Sequence, residues 1–307
     1  MKKVFALLLA VTLLFSFAAP VYAADGQYEG KTVILYTGNL RGDVDMYPQI
    51  KGIKDQYESE GADVVLVDVG NYLQGSAAAN SDRGLTVYNL MDAVGYDVAA
   101  MGLAEFSYTD ATTGYVYHSN FTRYYTQAEL QNGTEAVTYN QDRNGSVTAE
   151  RAAKEAARFK TVASNVTAAD VYSFDRTVEI TTGSGLKLVF YALTDKSVEE
   201  NIQDGYVQVS EPEAIELSGY DAVICLSNAG LSGSGYGDIL IDVESGSPGV
   251  IGAYVIDNET KSIQSENVRE AVADKAVEEL VQAAKSAAGK VVGKSDVILN
   301  GSDSSGW

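Results

Sequence analysis

Residues 31–37, KTVILYT, and residues 63–69, DVVLVDV, are runs of β-branched and aliphatic residues with few polar interruptions. Runs of this kind are typical of strands that are buried on both faces of a sheet. Residues 43–60, between the two runs, have the mixed polar spacing of a helix. Residues 84–95 (GLTVYNLMDAVG) predict a second helix and residues 96–101 (YDVAAM) a third strand. This alternation predicts a mainly parallel sheet with right-handed crossovers.

The character of the chain changes after this region. Residues 106–145 are rich in Tyr, Thr, Asn and Gly and have no sustained period, which predicts an inserted surface excursion such as a β-hairpin. Residues 148–159 (TAERAAKEAARF) are strong helix formers and predict a helix. A long helix is predicted at about residues 268–288, with Gly289 as its stop. Further strands are predicted at residues 161–166, 177–181, 186–193, 221–226, 238–242, 250–256 and 262–267. The close spacing of the strands after residue 177 suggests antiparallel hairpins.

The N-terminus has the pattern of a Sec-type signal peptide, as in exported bacterial proteins. Residues 1–23 combine a basic start, an apolar run and a small-residue exit, so we expect cleavage after Ala23 and a secreted, extracytoplasmic product. No later segment approaches the roughly 20 apolar residues of a membrane span, so no membrane insertion is expected after the signal is removed. The single cysteine, Cys225, excludes an intrachain disulfide and is predicted to be a small core residue. Residues 300–307 form a Ser/Gly-rich tail that we expect to be disordered.

The charge of the chain argues against polyanionic partners. It has 42 acidic and 22 basic residues and a net charge of −20. A surface this negative repels nucleic acid and anionic membranes. The remaining partners are an unknown protein or a small-molecule ligand.

Five blocks of the sequence carry a family resemblance. They are residues 31–42 (KTVILYTGNLRG), 63–76 (DVVLVDVGNYLQGS), 95–108 (GYDVAAMGLAEFSY), 220–231 (YDAVICLSNAGL) and 237–249 (GDILIDVESGSPG). In this order they resemble the blocks of the secreted 5'-nucleotidase and calcineurin-like metallophosphoesterase family. The resemblance implies a four-layer α/β/β/α sandwich of two mixed β-sheets flanked by helices, over residues 24–299. The family's C-terminal nucleotide-binding domain is expected to be absent, because only its connecting strand is matched, at residues 291–301.

The resemblance also implies where two metal ions would be held, and this chain has other residues there. Asn39 stands where the family has an Asp, Arg41 where it has a His, and Asn71 where it has the bridging Asp. Leu103 and Ala104 replace an Asn and the catalytic His, and only the following Glu105 is retained.

The later blocks show the same loss. Asn228 replaces a metal-binding His, and Glu244 and Gly246 fall where the final His pair would be. Two-metal phosphoesterases use the cation pair to activate water and to clamp phosphoryl oxygens. A positive charge such as that of Arg41, about 4 Å from a dication, would cost about 8 kcal/mol at an effective dielectric near 20. We therefore expect no metal, no other cofactor and no catalytic residue.

These substitutions predict an exported pseudoenzyme of the 5'-nucleotidase and metallophosphoesterase family, with a binding or structural role. One alternative is a residual metal-dependent phosphoesterase or 5'-nucleotidase, a phosphoric monoester hydrolase whose divalent metal is held by other acidic residues. The candidates for such a rebuilt site are Asp43, Asp45, Asp68, Glu105, Asp242 and Glu244. A second alternative is a non-hydrolytic phosphate-ligand binder in which Arg41 grips the phosphate, unless Arg41 pairs with Asp43 or Asp45.

The inserted excursion is the candidate partner surface. Tyr115, Tyr117, Tyr124 and Tyr125 lie in it, and tyrosine combines a large contact area with a hydroxyl group. The alternative is an ordinary hairpin that packs its own aromatic residues. His118, the only histidine, is predicted to be a surface residue of the same segment.

Overall fold

The computed structural model describes residues 26–81, 84–107, 158–168, 172–202 and 207–289, together with the backbone of residues 135–141 and 147–153. The predicted signal peptide, the excursion residues Tyr115, Tyr117, His118, Tyr124 and Tyr125, and the tail from residue 300 lie outside the described residues.

The described residues contain strands and helices in alternation, with a strand-rich second half. The strands are β1 (Lys31–Gly38), β2 (Asp63–Asp68), β3 (Val98–Ala100), β4 (Glu135–Gln141), β5 (Val147–Ala153), β6 (Lys160–Val162), β7 (Val166–Ala168), β8 (Thr177–Thr181), β9 (Lys187–Leu193), β10 (Val207–Val209), β11 (Ala222–Ser227), β12 (Ile239–Asp242), β13 (Val250–Asp257) and β14 (Ile263–Glu266). The helices are α1 (Tyr47–Ser59), preceded by a 3-10 turn at Val44–Met46, then α2 (Ala77–Ser81), α3 (Leu85–Val94), α4 (Leu103–Ser107), α5 (Ser197–Asn201) and α6 (Lys275–Ala288).

The first sheet contains the two runs that predicted the fold. Its order is β14-β13-β1-β2-β3-β6. Strands β1, β2, β3 and β6 are parallel neighbours, whereas β13 and β14 are antiparallel additions at one edge. Val33 and Leu35 face the helices, and Ile34 faces a second sheet, so β1 is buried on both sides. The double burial explains the uninterrupted apolar run from Val33 to Leu35 at the centre of β1.

Helices cover one face of this sheet. Apolar side chains of α1, α3 and α6 pack on it in one core, which includes Ile50, Met91 and Val277. Helix α3 ends at Gly95, whose φ of 83° is left-handed and favours glycine. The start of α6 is capped by Asp274, whose side chain accepts a 2.9 Å hydrogen bond from the Val277 backbone N–H. Local sequence signals therefore set both helix boundaries.

The second sheet packs on the other face. Its order is β12-β11-β9-β8, and its inner side chains, among them Phe190 and Leu226, meet those of the first sheet. On its outer face, Cys225 is buried as predicted, and burial raises the pKa of its thiol to about 12. In the described residues, connecting segments rather than helices pack on this outer face, with Ile215 and Tyr236 in contact. The predicted α/β fold of two packed mixed sheets is confirmed, and within the described residues its helices cover the outer face of the first sheet.

Four details differ from the predictions. The helix predicted at residues 148–159 is wrong, because β5 pairs antiparallel with β4 along its whole length, and this pairing overrides helix propensity. The last helix begins at Lys275, because Asp274 caps it there. Strands β9, β11 and β12 are parallel neighbours rather than hairpins. Phe106, placed in the excursion, is fully buried in α4 and packs edge-on against Tyr172.

None of the helices in the described part of the chain combines the length and apolar composition that a membrane crossing requires.

Candidate functional site

Five loops that follow parallel strands meet at one edge of the two sheets. Asn39 follows β1, Asn71 lies three residues beyond β2, and Asn228 follows β11 directly. Ala104 lies in α4, which follows β3, and Glu244 lies two residues beyond β12. The carboxyl ends of strands are where α/β folds place their ligand sites. The hydrogen bonds described next bring all five loops together.

Asn71 is at the centre of these contacts. Its side-chain Nδ2 donates to Asn39 Oδ1 at 3.0 Å and to Ser245 Oγ at 3.3 Å. Its Oδ1 accepts a hydrogen bond from the Ala104 backbone N–H at 3.2 Å. Asn71 is buried, so these bonds replace contacts with water. The position that the resemblance assigns to a bridging carboxylate is therefore occupied by an amide that bonds to protein on both sides.

Asn39 and Asn228 are satisfied in the same way. Asn39 Nδ2 donates to the backbone carbonyls of Glu244 at 2.8 Å and Ser247 at 3.1 Å. Asn228 Nδ2 donates to the carbonyls of Val69 at 3.1 Å and Met101 at 3.2 Å, and its Oδ1 accepts from the Asp195 N–H. We call Asn39, Asn71 and Asn228 the amide clasp, because each amide nitrogen and oxygen in the set has a protein partner.

The backbone around the amide clasp adopts uncommon conformations. Asn39, Arg41 and Asn71 have positive φ values of 54°, 49° and 63°. Asparagine tolerates this region well, but arginine does so rarely. Gly102 approaches the clasp closely, since a Cβ atom on it would lie 2.6 Å from Asn71 Oδ1. These loops are therefore shaped to bring the amides into contact.

Arg41 closes the mouth of the site. Its Nη2 donates to the carbonyl oxygens of Ser245 at 2.6 Å and Ser247 at 3.0 Å, while the side chain stays exposed. The expected alternative of a pair with Asp43 or Asp45 is wrong. Asp45 pairs with Lys285, and Asp43 accepts a hydrogen bond from the Asp45 N–H. Arg41 therefore holds the loop after β12 onto the site.

Glu105 is buried beneath the amide clasp. Its carboxylate accepts four backbone N–H bonds, from Gly102, Asn71 and Tyr72 at 2.8 Å and from Leu73 at 3.1 Å. Burial raises the pKa of Glu105 to about 7, and the four hydrogen bonds oppose that rise. The residue thus joins the loop after β2 to the start of α4.

A second buried carboxylate, Asp68, ends β2. It accepts hydrogen bonds from Thr37 Oγ1 at 2.5 Å and from the Gly70 N–H at 2.7 Å. The Tyr96 hydroxyl lies 2.9 Å from the same Thr37 oxygen. Burial raises the pKa of Asp68 well above its usual range. The carboxyl group of Asp68 is therefore bonded to a side chain of the neighbouring strand β1 and to the backbone of the loop after β2.

The residues present do not fit a two-metal centre. The six acidic candidates for a rebuilt site do not gather, and no group of three or more His, Cys, Asp or Glu side chains that could hold a metal occurs in the described ranges. Asp242 accepts from the Leu231 N–H, and the exposed Glu244 contributes its backbone carbonyl to Asn39. Leu103 and Ala104 offer no side-chain ligand, and Gly246 is exposed.

Sequence reasoning missed two contributors, Ser245 and Ser247. Ser245 Oγ receives a bond from Asn71 and donates to the Asn228 carbonyl at 3.1 Å, whereas Ser247 contributes its carbonyl. The one sequence signal that could have pointed to these two serines was their position beside Glu244 and Gly246 in the fifth block. Their role depends on the turn that this loop makes, which the residue types alone do not specify.

Comparison with known proteins gives a consistent picture of the fold. A 5'-nucleotidase precursor from Thermus thermophilus is similar with a TM-score of 0.55 and 14% identity over 84% of this chain and 59% of that one. The NAD nucleotidase of Haemophilus influenzae is similar with a TM-score of 0.54 and 10% identity, over 84% and 60% of the two chains. The calcineurin-like phosphoesterase YfkN of Bacillus subtilis has a TM-score of 0.51 and 14% identity, over 85% and 98%.

The chain thus spans about three fifths of the solved chains of the two nucleotidases and nearly the whole of the solved Bacillus chain. No protein-family model and no curated protein matches the sequence. The five sequence blocks and the solved structures agree on the architecture, and the chain has the fold of the 5'-nucleotidases and calcineurin-like phosphoesterases.

Proposed function

We propose that this chain is an exported pseudoenzyme in which the amide clasp has replaced the metal centre of a phosphoesterase fold, and that it acts in binding or in assembly. The observation that carries this proposal is the side chain of Asn71. It occupies the position of the bridging carboxylate, and both its nitrogen and its oxygen are bonded to protein groups.

The chemistry of the donor set supports catalytic silence. A dication requires several anionic or imidazole ligands, and it binds only when these are free to turn toward it. Here Asn39 and Asn71 bond to each other, and Asn228 bonds to three backbone groups. A metal ion would have to break these buried hydrogen bonds, each of which contributes about 1 kcal/mol net, and would gain only neutral oxygens in return.

The contacts of Arg41 favour a role in loop closure over a role in phosphate binding. Its Nη2 atom is directed to two carbonyl oxygens of the loop that contains Ser245 and Ser247. A phosphate ligand would compete with both bonds. Arg41 also places a permanent positive charge at the mouth of the site, which opposes a cation.

The decisive experiment measures metal content and turnover on the same purified protein. The chain should be expressed with Mn²⁺, Zn²⁺ and Mg²⁺ supplied, freed of loosely bound ions, and assayed for bound metal by elemental analysis. Hydrolysis of 5'-nucleotides and of a generic phosphate monoester should be followed by phosphate release. We expect well below one metal ion per chain and no turnover. Stoichiometric metal together with metal-dependent phosphate release would overturn the proposal.

Export is tested separately. Residues 1–23 have the basic start and apolar run of a signal peptide. Expression with the natural N-terminus should place the protein outside the cytoplasm, and N-terminal sequencing of that product should begin at Ala24. Retention in the cytoplasm with an intact Met1 would contradict export without bearing on catalytic silence.

A further inference from the structure

A cavity of about 380 Å³ lies between the start of β7, the end of β9 and the segment that follows β10. None of the amide clasp residues lines it. Its volume is in the range of pockets that bind small molecules. The lining residues are Ser164, Asn165, Val166, Thr167, Arg176, Leu193, Ser210, Glu211, Glu213, Ala214, Ile215 and Glu216.

The floor of this cavity is held rigidly by Asn165. Its Nδ2 donates to the carbonyl oxygens of Thr194 at 3.0 Å and Ser210 at 2.9 Å, and its Oδ1 accepts from the Thr194 N–H at 2.8 Å. Ser164 Oγ donates to the Arg176 carbonyl at 2.5 Å and fixes the main chain there. The cavity is therefore formed before any ligand arrives, which lowers the entropic cost of binding.

One wall of the cavity carries negative charge. Residues 211–216 cross the outer face of the second sheet, where Ile215 packs against the cluster of Tyr191, Leu193 and Cys225. Glu211 pairs with Lys196, but the exposed Glu213 and Glu216 form no ion pair within the described residues. The carboxylates of Glu213 and Glu216 are thus available to bind a ligand, and the packing of Ile215 fixes the segment that carries them.

The remaining charged residue of the lining is Arg176. Its side chain is exposed and forms no ion pair with any residue that the structure describes. A guanidinium group is a planar fork that suits a carboxylate. The unpaired lining charges are therefore one positive and two negative, from Arg176, Glu213 and Glu216.

We propose that this cavity binds a free basic α-amino acid, of which lysine and arginine are the simplest. The ligand's carboxylate would meet Arg176, and its α-ammonium and side-chain cation would meet Glu213 and Glu216. The ligand's net charge of +1 then balances the net charge of −1 on the three lining residues that have no ion pair within the described residues, Arg176, Glu213 and Glu216. Phosphates and nucleotides are disfavoured by the two carboxylates, and a diamine lacks the group that Arg176 recognises. This site is independent of the proposed loss of catalysis.

The test is calorimetric titration of the purified chain with L-lysine at low salt, beside two matched ligands. Cadaverine is lysine without its carboxylate, and norleucine is lysine without its side-chain amine. We expect saturable binding of lysine with a Kd on the order of 1 mM or tighter, and binding at least about tenfold weaker for each analogue. Lack of saturation by lysine would overturn the proposal, as would equal binding of cadaverine.

Variants locate the site. Arg176→Ala and the double change Glu213→Gln with Glu216→Gln should each weaken lysine binding by about tenfold or more. Glu200→Gln changes an exposed carboxylate of α5 that does not line the cavity, so it should leave binding unchanged. The circular dichroism spectrum of each variant reports whether it folds. Folded Arg176→Ala protein with undiminished affinity would place the binding elsewhere and refute the assignment.

Discussion

Replacement of Glu105 by glutamine should change how the stability of this protein depends on pH. Glu105 is fully buried, and burial raises the pKa of its carboxyl to about 7 from an ordinary value of 4.5. Between these two pKa values the folded protein holds a proton on Glu105 that the unfolded chain has released. The free energy of unfolding therefore falls as the pH rises through this window and levels off above it.

The size of the effect follows from the same two values. The interval between 4.5 and about 7 corresponds to about 3 kcal/mol at 1.36 kcal/mol per pKa unit. About 2 kcal/mol of this falls between about pH 5 and about pH 7.5. Such a change is a large fraction of the 5–15 kcal/mol that is typical of folded domains.

Urea unfolding at a series of pH values from about 5 to 8 measures this slope. We expect wild-type protein to lose about 2 kcal/mol over the window and the Glu105→Gln variant to lose much less. Burial also raises the pKa of Asp68, so this residue adds to the loss of stability with rising pH. The Asp68→Asn variant should therefore be measured beside Glu105→Gln to separate the two contributions. Asp221 and Asp257 have lowered pKa values, and the stability they contribute is lost only as the pH falls below about 4, outside this window.

Repulsion among the 20 excess negative charges also favours folding at lower pH. That effect is shared by Glu105→Gln and by the control variant Glu200→Gln, which removes an exposed carboxylate. The prediction therefore concerns the difference between Glu105→Gln and Glu200→Gln in how the free energy of unfolding changes with pH. Parallel stability curves for wild type, control and Glu105→Gln would refute the reasoning about the buried carboxyl.

Four further predictions concern the amide clasp and a helix cap. Gly102→Ala should destabilise by about 1–3 kcal/mol in chemical unfolding, because its Cβ would lie 2.6 Å from Asn71 Oδ1, whereas Gly246→Ala, with no atom within 4 Å, should change stability by less than about 0.5 kcal/mol. Asn71→Ala should cost about 2–4 kcal/mol, since it leaves buried partners without bonds, and a loss below about 1 kcal/mol would contradict the central place of this residue. Arg41→Ala should speed amide hydrogen exchange in residues 244–247 while changing global stability by less than about 1 kcal/mol, and unchanged exchange there would argue against its role in loop closure. Asp274→Ala should lower stability by about 1 kcal/mol in thermal unfolding followed by circular dichroism, because it removes the cap of α6.

The sandwich could be predicted from the sequence because a strand buried on both faces leaves its own local pattern, a short run of apolar residues. Strands β1 and β2 have no alternation to solvent, since each is covered on both faces, and their runs of Val, Ile and Leu reflect this. The ends of α3 and α6 could be predicted for a similar reason, because Gly95 and Gly289 are local stop signals.

Features that depend on distant partners could not be predicted in the same way. The segment of β5 has strong helix formers, but it lies antiparallel to β4. The parallel order of β9, β11 and β12 reflects which strands meet across the sheet, and spacing along the chain does not report it. In each case tertiary pairing outweighs local preference, which is a weak prior for any single segment.

The positions of the candidate site were predictable, but its contacts were not. Five blocks placed Asn39, Asn71 and Asn228 after their strands, and the structure brings the three loops together. The partners of these residues are mostly backbone groups, such as the carbonyls of Glu244 and Met101. Every residue type carries such groups, so no pattern of side chains points to them.

Asparagine at these positions explains how the loops pack together with no ion between them. Two carboxylates at the 3.0 Å separation of the Asn39 and Asn71 amide groups would repel each other unless a cation or a shared proton lay between them. An amide both donates and accepts, so neighbouring asparagines bond directly and need no ion. Glu105 is retained beside them, and four backbone N–H groups rather than a cation bond to its carboxyl oxygens. On the proposed function, loss of the metal ligands and closure of the site are one physical change, because the amides of Asn39 and Asn71 that would replace the ligands also hold the loops together.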